Sequence, residues 1–329
     1  MRIVRVLVGL LICILVGTGN SASASSANPA GGYPNKPVRW IVPFPPGASN
    51  DLVARLIGQK LAEAWGQQFV IDNRPGAGGS LGASIVADAA ADGYTLLVAN
   101  PGPSINNIVI RKKPAYRLTD FAPVVLMAYT PLVLVAHPAF PASNARELIA
   151  YAKANPGKVN WASSGIGSAP HIGLALFQAS TGVNVTHIPY KGGAQALTEV
   201  ATGQVHVLYS NSSTGAAHIK SGRVKVLGVA DSKRQPVLPN VPTFEELGIK
   251  NADAKLWIGM SAPAKTPRPI IDKLNREVNR ALELPDIKQR LDGLGLVIEG
   301  GSVEKFEAFI KDEVERLSKL VKAGAIEQE

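Results

Sequence analysis

Val38-Arg39-Trp40-Ile41-Val42-Pro43-Phe44-Pro45-Pro46-Gly47-Ala48-Ser49-Asn50-Asp51 is an apolar run that stops at a proline- and glycine-bearing turn and restarts as a helix. The same pattern returns in Phe69-Val70-Ile71-Asp72-Asn73-Arg74-Pro75-Gly76-Ala77-Gly78-Gly79-Ser80. Between them Leu52, Val53, Leu56, Ile57 and Leu61 recur at the period of a helix lying on a sheet, with Arg55, Gln59 and Lys60 opposite. Each joint leaves backbone N–H groups unpaired at a helix N-terminus, where the helix dipole favours negative charge. Both joints therefore read as anion cradles, and side by side they suggest a site for a small anion.

The same grammar extends along the chain. Tyr94–Ala99 is a third strand, and the second half offers Val159–Ser163, Val185–Pro189 and Val205–Tyr209, each running into a Gly- or Ser-rich loop. Alternation of strands with helical patterns predicts parallel pairing in an α/β protein. Ala122–Thr130 and Leu132–His137, split by Pro131, read as a segment crossing between the halves, and Leu256–Ala262 as the return. Helical patterns close the chain at Ile271, Leu274, Val278 and Leu282, then at Val303, Phe306, Ile310, Val314, Leu317 and Val321. Ligands of open α/β sheets bind beyond the carboxyl ends of the strands. Two such sheets with facing loops enclose a cleft, and two connecting segments permit hinge closure. The expected architecture is α/β and two-lobed, with a hinged cleft between two mainly parallel sheets. Lobe 1 would be discontinuous, 33–132 with 255–329, and lobe 2 would be 133–254.

The chain starts with Arg2 and Arg5, an uncharged apolar run Val6–Gly17, and then Ser- and Ala-rich residues. That run is shorter than the about 20 residues a membrane span needs, so residues 1–27 read as a secretory signal peptide. Cys13, the sole cysteine, leaves with it, and the mature chain relies on core size rather than disulfides. The full chain has 34 Lys+Arg against 25 Asp+Glu, a net charge of +9; loss of Arg2 and Arg5 lowers it to +7. The cations are scattered and aromatics make up only 6%, which argues against a nucleic-acid surface.

Several chemistries fail on spacing. Gly76-Ala77-Gly78-Gly79-Ser80-Leu81-Gly82 carries Leu81 where a dinucleotide fingerprint from Gly76 needs glycine, and a Walker loop needs a lysine it lacks. A structural turn requiring positive φ is the competing account of this loop. Ser163-Ser164-Gly165-Ile166-Gly167-Ser168 is no nucleophile elbow, since Ile166 sits between the glycines. The five histidines have no metal-ligand spacing. His171, in the first turn of a helix, either contacts a ligand or packs and caps; His206 reads as structural. Asp51 reads as a helix cap rather than a catalytic acid. No cofactor, metal or catalytic residue is expected.

Pro43-Phe44-Pro45-Pro46-Gly47, Asp51, Ala54-Arg55, Asn73-Arg74-Pro75-Gly76-Ala77-Gly78-Gly79, Asp92-Gly93-Tyr94-Thr95-Leu96, Ser163-Ser164-Gly165, His171, Pro189-Tyr190-Lys191-Gly192, Gly203-Gln204-Val205, Val241-Pro242-Thr243 and Ala262-Pro263 form an ordered series. In this series the chain resembles the Bug family, extracytoplasmic solute receptors of tripartite tricarboxylate transporters, from about Tyr33 onward. The resemblance implies a type II periplasmic binding-protein fold, periplasmic location, a small carboxylate ligand and a membrane permease as partner, with the receptor itself a monomer. It also implies a pincer of two loops around one carboxylate, partly through water. Carried over by position, this points to Phe44, Ala48, Ser49, Asn50, Gly78, Gly79 and Ser80. The facing lobe would add Ser164, Gly165, Ser168 and His171, with Tyr190 and Asn211 beside them. His206 and Ser210 stand where the family often has acidic residues, which favours a plain mono- or dicarboxylate over an amino acid. Two other readings compete: a receptor that hands the same anion to a signalling membrane protein, and a secreted α/β hydrolase or dehydrogenase.

Overall fold

The computed structural model describes residues 31–324, 326 and 328, so the leader read at 1–27 lies outside the described residues. The chain opens with β1 (Val38–Val42), α1 (Ser49–Trp65), β2 (Phe69–Asn73), α2 (Ser80–Ala87) and β3 (Thr95–Ala99). β1 pairs in parallel with both β2 and β3, as two successive strand–loop–helix units require. α1 lays Val53, Ile57 and Leu61 fully buried on this sheet beside Trp40, each such side chain contributing about 1.5–3 kcal/mol. Leu52 and Leu56, expected on the same face, remain half-buried.

After a π-helical turn at Gly102–Asn106 and the short α3 (Asn107–Ile110), the chain enters β4 (Phe121–Ala136). The sequence reads this stretch as two runs broken at Pro131, but it is one strand of 16 residues. Pro131 is tolerated because it falls at a handover: it is the last residue of β4 paired with β9 (Lys255–Pro263), and Leu132 is the first paired with β7 (Val207–Asn211). A residue without an N–H costs little where one ladder ends and another begins.

The second half runs α4 (Ala145–Ala154), β5 (Asn160–Ser163), α5 (Ala169–Thr181), β6 (Thr186–Pro189), α6 (Gly193–Ala201), then β7, α7 (Ser212–Lys220) and β8 (Lys225–Val229). β5 pairs in parallel with β6 and β7. The chain returns in β9 and ends with α8 (Arg268–Leu282), α9 (Pro285–Gly293), β10 (Val297–Ile298) and α10 (Val303–Lys322). Strand order is β2-β1-β3-β9-β4-β7-β5-β6, with β8 and β10 also on β4. Each half thus has a three-stranded parallel part, while the crossing strands β4 and β9 pair antiparallel because one leaves and the other returns. Trp161, Phe177, Tyr209 and Phe244 pack ring to ring in the second half, with Trp161 and Tyr209 centroids 5.3 Å apart.

Candidate functional site

The first loop is held by a carboxylate. Asp51 accepts from Gly47 N–H at 2.9 Å, from Asn73 Nδ2 at 2.9 Å and from Arg55 Nε at 3.0 Å, while Asn73 also donates to the Phe44 carbonyl at 3.0 Å. Burial works against this carboxylate, but hydrogen bonds from Arg55, Gly47 and Asn73 and the Arg55 charge hold its pKa below the ordinary value. Asp51 therefore shapes the loop. With the loop fixed, the first backbone bond of α1 is Leu52 N–H to Ala48 O, and the N–H groups of Ser49 and Asn50 have no intrahelical acceptor.

They open onto a cavity of about 60 Å³ between the two halves, lined on this side by Phe44, Ala48, Ser49 and Asn50 and on the other by Ser164, Ala169, Gly193 and Asn211, among others. Four helices start at its wall: α1, α5, α6 and α7. Three of them, α1, α5 and α6, have no side-chain cap, whereas Asn211 Oδ1 accepts the Thr214 N–H of α7 at 2.9 Å. No charged side chain lines the cavity. Four positive dipole ends without a compensating carboxylate suit an anion.

Among the described residues, three buried polar atoms of the lining have no hydrogen-bond partner: Asn50 Oδ1, Asn100 Nδ2 and the Tyr209 hydroxyl. Asn100 and Tyr209 escaped the sequence reading, whereas Ser210, singled out there for what it says of the ligand's charge, also lines the cavity, as does Thr214. Asn100 had a signal, since it directly follows the third strand and precedes the turn at Pro101-Gly102; its Oδ1 accepts from Gly102 N–H at 3.1 Å. Tyr209 had none, lying mid-strand in an aromatic cluster.

The remaining candidates surround the cavity without lining it. In the second loop Gly79 N–H donates to Gly76 O at 2.9 Å and Ser80 N–H bonds to Ala77 O, so two of its donors are spent on its own turn. Gly78, at φ +63°, lies so close to the Ile166 carbonyl that a Cβ there would be 2.0 Å away. Gly165 N–H donates to Ser163 Oγ at 3.1 Å, and Ser168 and Ser80 have buried hydroxyls without a partner. His171 stacks on His187 with ring centroids 4.3 Å apart and accepts from Gly167 N–H at 3.1 Å, the packing role rather than a cavity contact. Burial, helped by His187, pushes its pKa down to about 4, so the imidazole is neutral at pH 7. Tyr190 N–H donates to Ser163 O at 3.0 Å. His206 accepts from Asn160 N–H at 2.8 Å through Nδ1, a structural tie.

The cavity is narrow, well under the about 300 Å³ of ordinary ligand pockets, because the halves touch around it. Ser49 and Ser213 share a hydroxyl hydrogen bond, Asn106 Nδ2 donates to Gly167 O at 2.9 Å, and Pro45 packs on Gly192. A larger hollow of about 400 Å³ lies elsewhere, against Tyr129, Trp257 and Phe309, and includes none of the loop residues. Among the described residues no cluster of three or more His, Cys, Asp or Glu is arranged for a metal, and no helix is long and apolar enough to cross a membrane.

A family model described as "Tripartite tricarboxylate transporter family receptor" matches residues 53–326. Protein BugT of Bordetella pertussis is 36% identical over 314 residues, 95% of this chain and 95% of BugT. R. palustris Rpa4515, solved with adipate, superposes with a TM-score of 0.86 at 34% identity, covering 90% of this chain and 99% of that one. MatC from Rhodopseudomonas palustris, solved with bound malate, gives 0.83 at 34% identity, covering 88% and 100%. The fold is that of periplasmic solute-binding proteins, and the class is that of receptors, not enzymes. Within it the chain belongs to the tripartite tricarboxylate transporter receptor family, with Bug proteins among its relatives.

Proposed function

We propose that this receptor captures a small mono- or dicarboxylate in the periplasm, between a lobe formed by 33–132 with 255–329 and a lobe formed by 133–254, and presents it to a membrane permease. Secretion rests on removal of residues 1–27. The observation that carries the reading is the convergence of four helix N-termini on a cavity without a charged side chain. The adipate and malate held by two similar proteins support the ligand class. Hydrogen bonds to a charged group contribute about 1.5–3 kcal/mol each, so about four outweigh ordering costs and reach the about 8 kcal/mol of micromolar binding without a buried arginine. Contacts from both lobes to one ligand bias the chain toward closure, because only differential affinity shifts such a balance. Ser49, Asn50, Asn100, Ser164, Tyr209 and Asn211 are the groups we assign to the ligand, with Gly78, Gly79, Ser80, Gly165, Ser168, His171 and Tyr190 shaping the loops that close over it. Calorimetry with malate, adipate and a neutral sugar tests the reading: a carboxylate binds at micromolar level, and binding of the sugar alone would refute it.

A further inference from the structure

Helices α1 and α7 both begin at the cavity, and their first turns meet through the Ser49 and Ser213 hydroxyls. Further along them lie two adjoining hollows of about 560 and 300 Å³, one against α1 and the other against α7, which share Gly293 and Leu294 at the end of α9. The floor is apolar: Leu52 and Leu56 from α1, Leu294, and Ile219 with Leu238 on the far side, where Val237 is 39% exposed. The rim is cationic. Arg55, Arg290 and Lys220 line it and no Asp or Glu does; Arg55 is paired with Asp51, but Arg290 and Lys220 form no ion pair among the described residues.

One wall comes from residues assigned to the first lobe and the other from residues assigned to the second. They meet where the Ser212 hydroxyl donates to Leu294 O at 3.5 Å and Gly295 passes so close that a Cβ would lie 2.4 Å from Ser212 Oγ. The groove is therefore whole only while the halves stand together. We infer that this composite groove is the docking surface for the membrane component of the transporter, and that it takes an acidic segment of that component anchored by apolar side chains. The inference rests on the receptor reading above. A partner that fits both walls binds the closed, loaded receptor in preference to an open one, because opening separates Leu52 and Leu56 from Ile219 and Lys220. The half-buried leucines of α1, whose outer faces line the groove, and the cations without an ion-pair partner among the described residues supply the complementarity.

The test uses the full mature receptor, its Lys220→Glu/Arg290→Glu variant, and proteoliposomes containing a tripartite tricarboxylate permease that takes up malate or adipate with the parent receptor, beside permease-free vesicles. Both substitutions lie on exposed side chains remote from the cavity lining, so calorimetric carboxylate affinity stays that of the parent. Association of the loaded variant with the permease vesicles is expected to fall at least about tenfold at low salt, and to lose most of the salt sensitivity the parent shows. Undiminished association overturns the proposal. So does equal binding of the parent to permease-free vesicles, which assigns the groove to lipid, or parent dimerisation that the variant abolishes, which assigns it to a second copy. Absence of any carboxylate binding by the parent strikes the receptor reading instead.

Discussion

The two glycine loops begin alike in sequence and end in different work. Pro43–Asn50 is pinned from behind by Asp51 and Asn73, and places the start of α1, with its free N–H groups, at the cavity wall. Gly76–Ser80 spends two N–H groups on its own turn and presses Gly78 against Ile166 of the opposite half. One loop presents donors; the other is a strut. The difference lies in what stands behind each loop: a buried carboxylate takes up the Gly47 N–H of the first, whereas the side chains that reach the second, Asn107 to Gly78 O at 3.0 Å and Arg111 to Ala77 O at 3.4 Å, are donors to its carbonyls, and its own Gly79 and Ser80 N–H groups turn back on the loop.

The largest expected effect separates the two roles directly. Asn50→Asp places a carboxylate of the same size among the spare N–H groups. A like charge about 4 Å from the ligand costs about 4 kcal/mol at an effective dielectric constant near 20, so affinity for a carboxylate should fall by two orders of magnitude or more. Unliganded stability should fall too, since Asn50 is buried beside Asp51 and the helix dipole only partly offsets a second buried carboxylate, so the loss of affinity is read beyond that change. Calorimetry and urea unfolding give the two numbers, and retained affinity would move the anion away from α1.

Much of this was legible beforehand for a physical reason. Strand–loop–helix units announce themselves through local periodicity, so β3 starts within one residue of its expected Tyr94–Ala99 and α8 and α10 appear where their apolar residues recur. Phe44, Ala48, Ser49, Asn50, Ser164 and Asn211 line the cavity because they sit at strand ends, which sequence order reveals. The fate of Gly76–Ser80 was not legible: whether a glycine loop offers its N–H groups outward or inward depends on partners far away in sequence. Pro131 misled for the opposite reason, as a local breaker overridden by the change of pairing partner. Tyr209 depended on packing against Trp161 and Phe244, which no local pattern encodes.

The strut has its own supports, and pH should weaken them. The second loop rests on Gly165–Gly167, held by His171 through Gly167 N–H and by His187 through Ser163. An unfolded imidazole titrates near 6.5 and the folded His171 at about 4. Between those values the unfolded chain binds the extra proton, so stability falls as pH drops through that window, by on the order of 2–3 kcal/mol at its acid end. His187, also lowered by burial, adds to the slope in the same direction. Thermal unfolding from pH 7 to 4 should show the fall, flattened in His171→Gln; parallel curves for both proteins would remove the histidine from this role.

Gly78→Ala probes the contact itself. The approach to Ile166 costs about 2 kcal/mol, felt only where the halves meet, while the positive φ adds a local strain of about 1 kcal/mol in every folded state. Carboxylate affinity is then expected to fall about 30-fold, while urea stability of the ligand-free chain, free to open, falls only by the local strain of about 1 kcal/mol. Unaltered affinity would show that the second loop is no strut.

The smallest effect is the most discriminating, because its two readouts move in opposite directions. Tyr209 lines the cavity from the second half, and its hydroxyl is buried without a partner among the described residues. Leaving such a group unsatisfied costs on the order of 1 kcal/mol, so Tyr209→Phe should stabilise the ligand-free protein by up to about that amount while keeping the ring's packing. If the hydroxyl donates to the bound anion, the same change removes one hydrogen bond of about 1.5 kcal/mol and weakens carboxylate binding about tenfold. A purely structural hydroxyl would shift stability alone, and a hydroxyl that orders the loop would shift both downward. Only a group held in reserve for the ligand makes the empty protein firmer and the loaded one weaker, and that signature would extend the first loop's role, as donor to the anion, to the opposite half of the molecule.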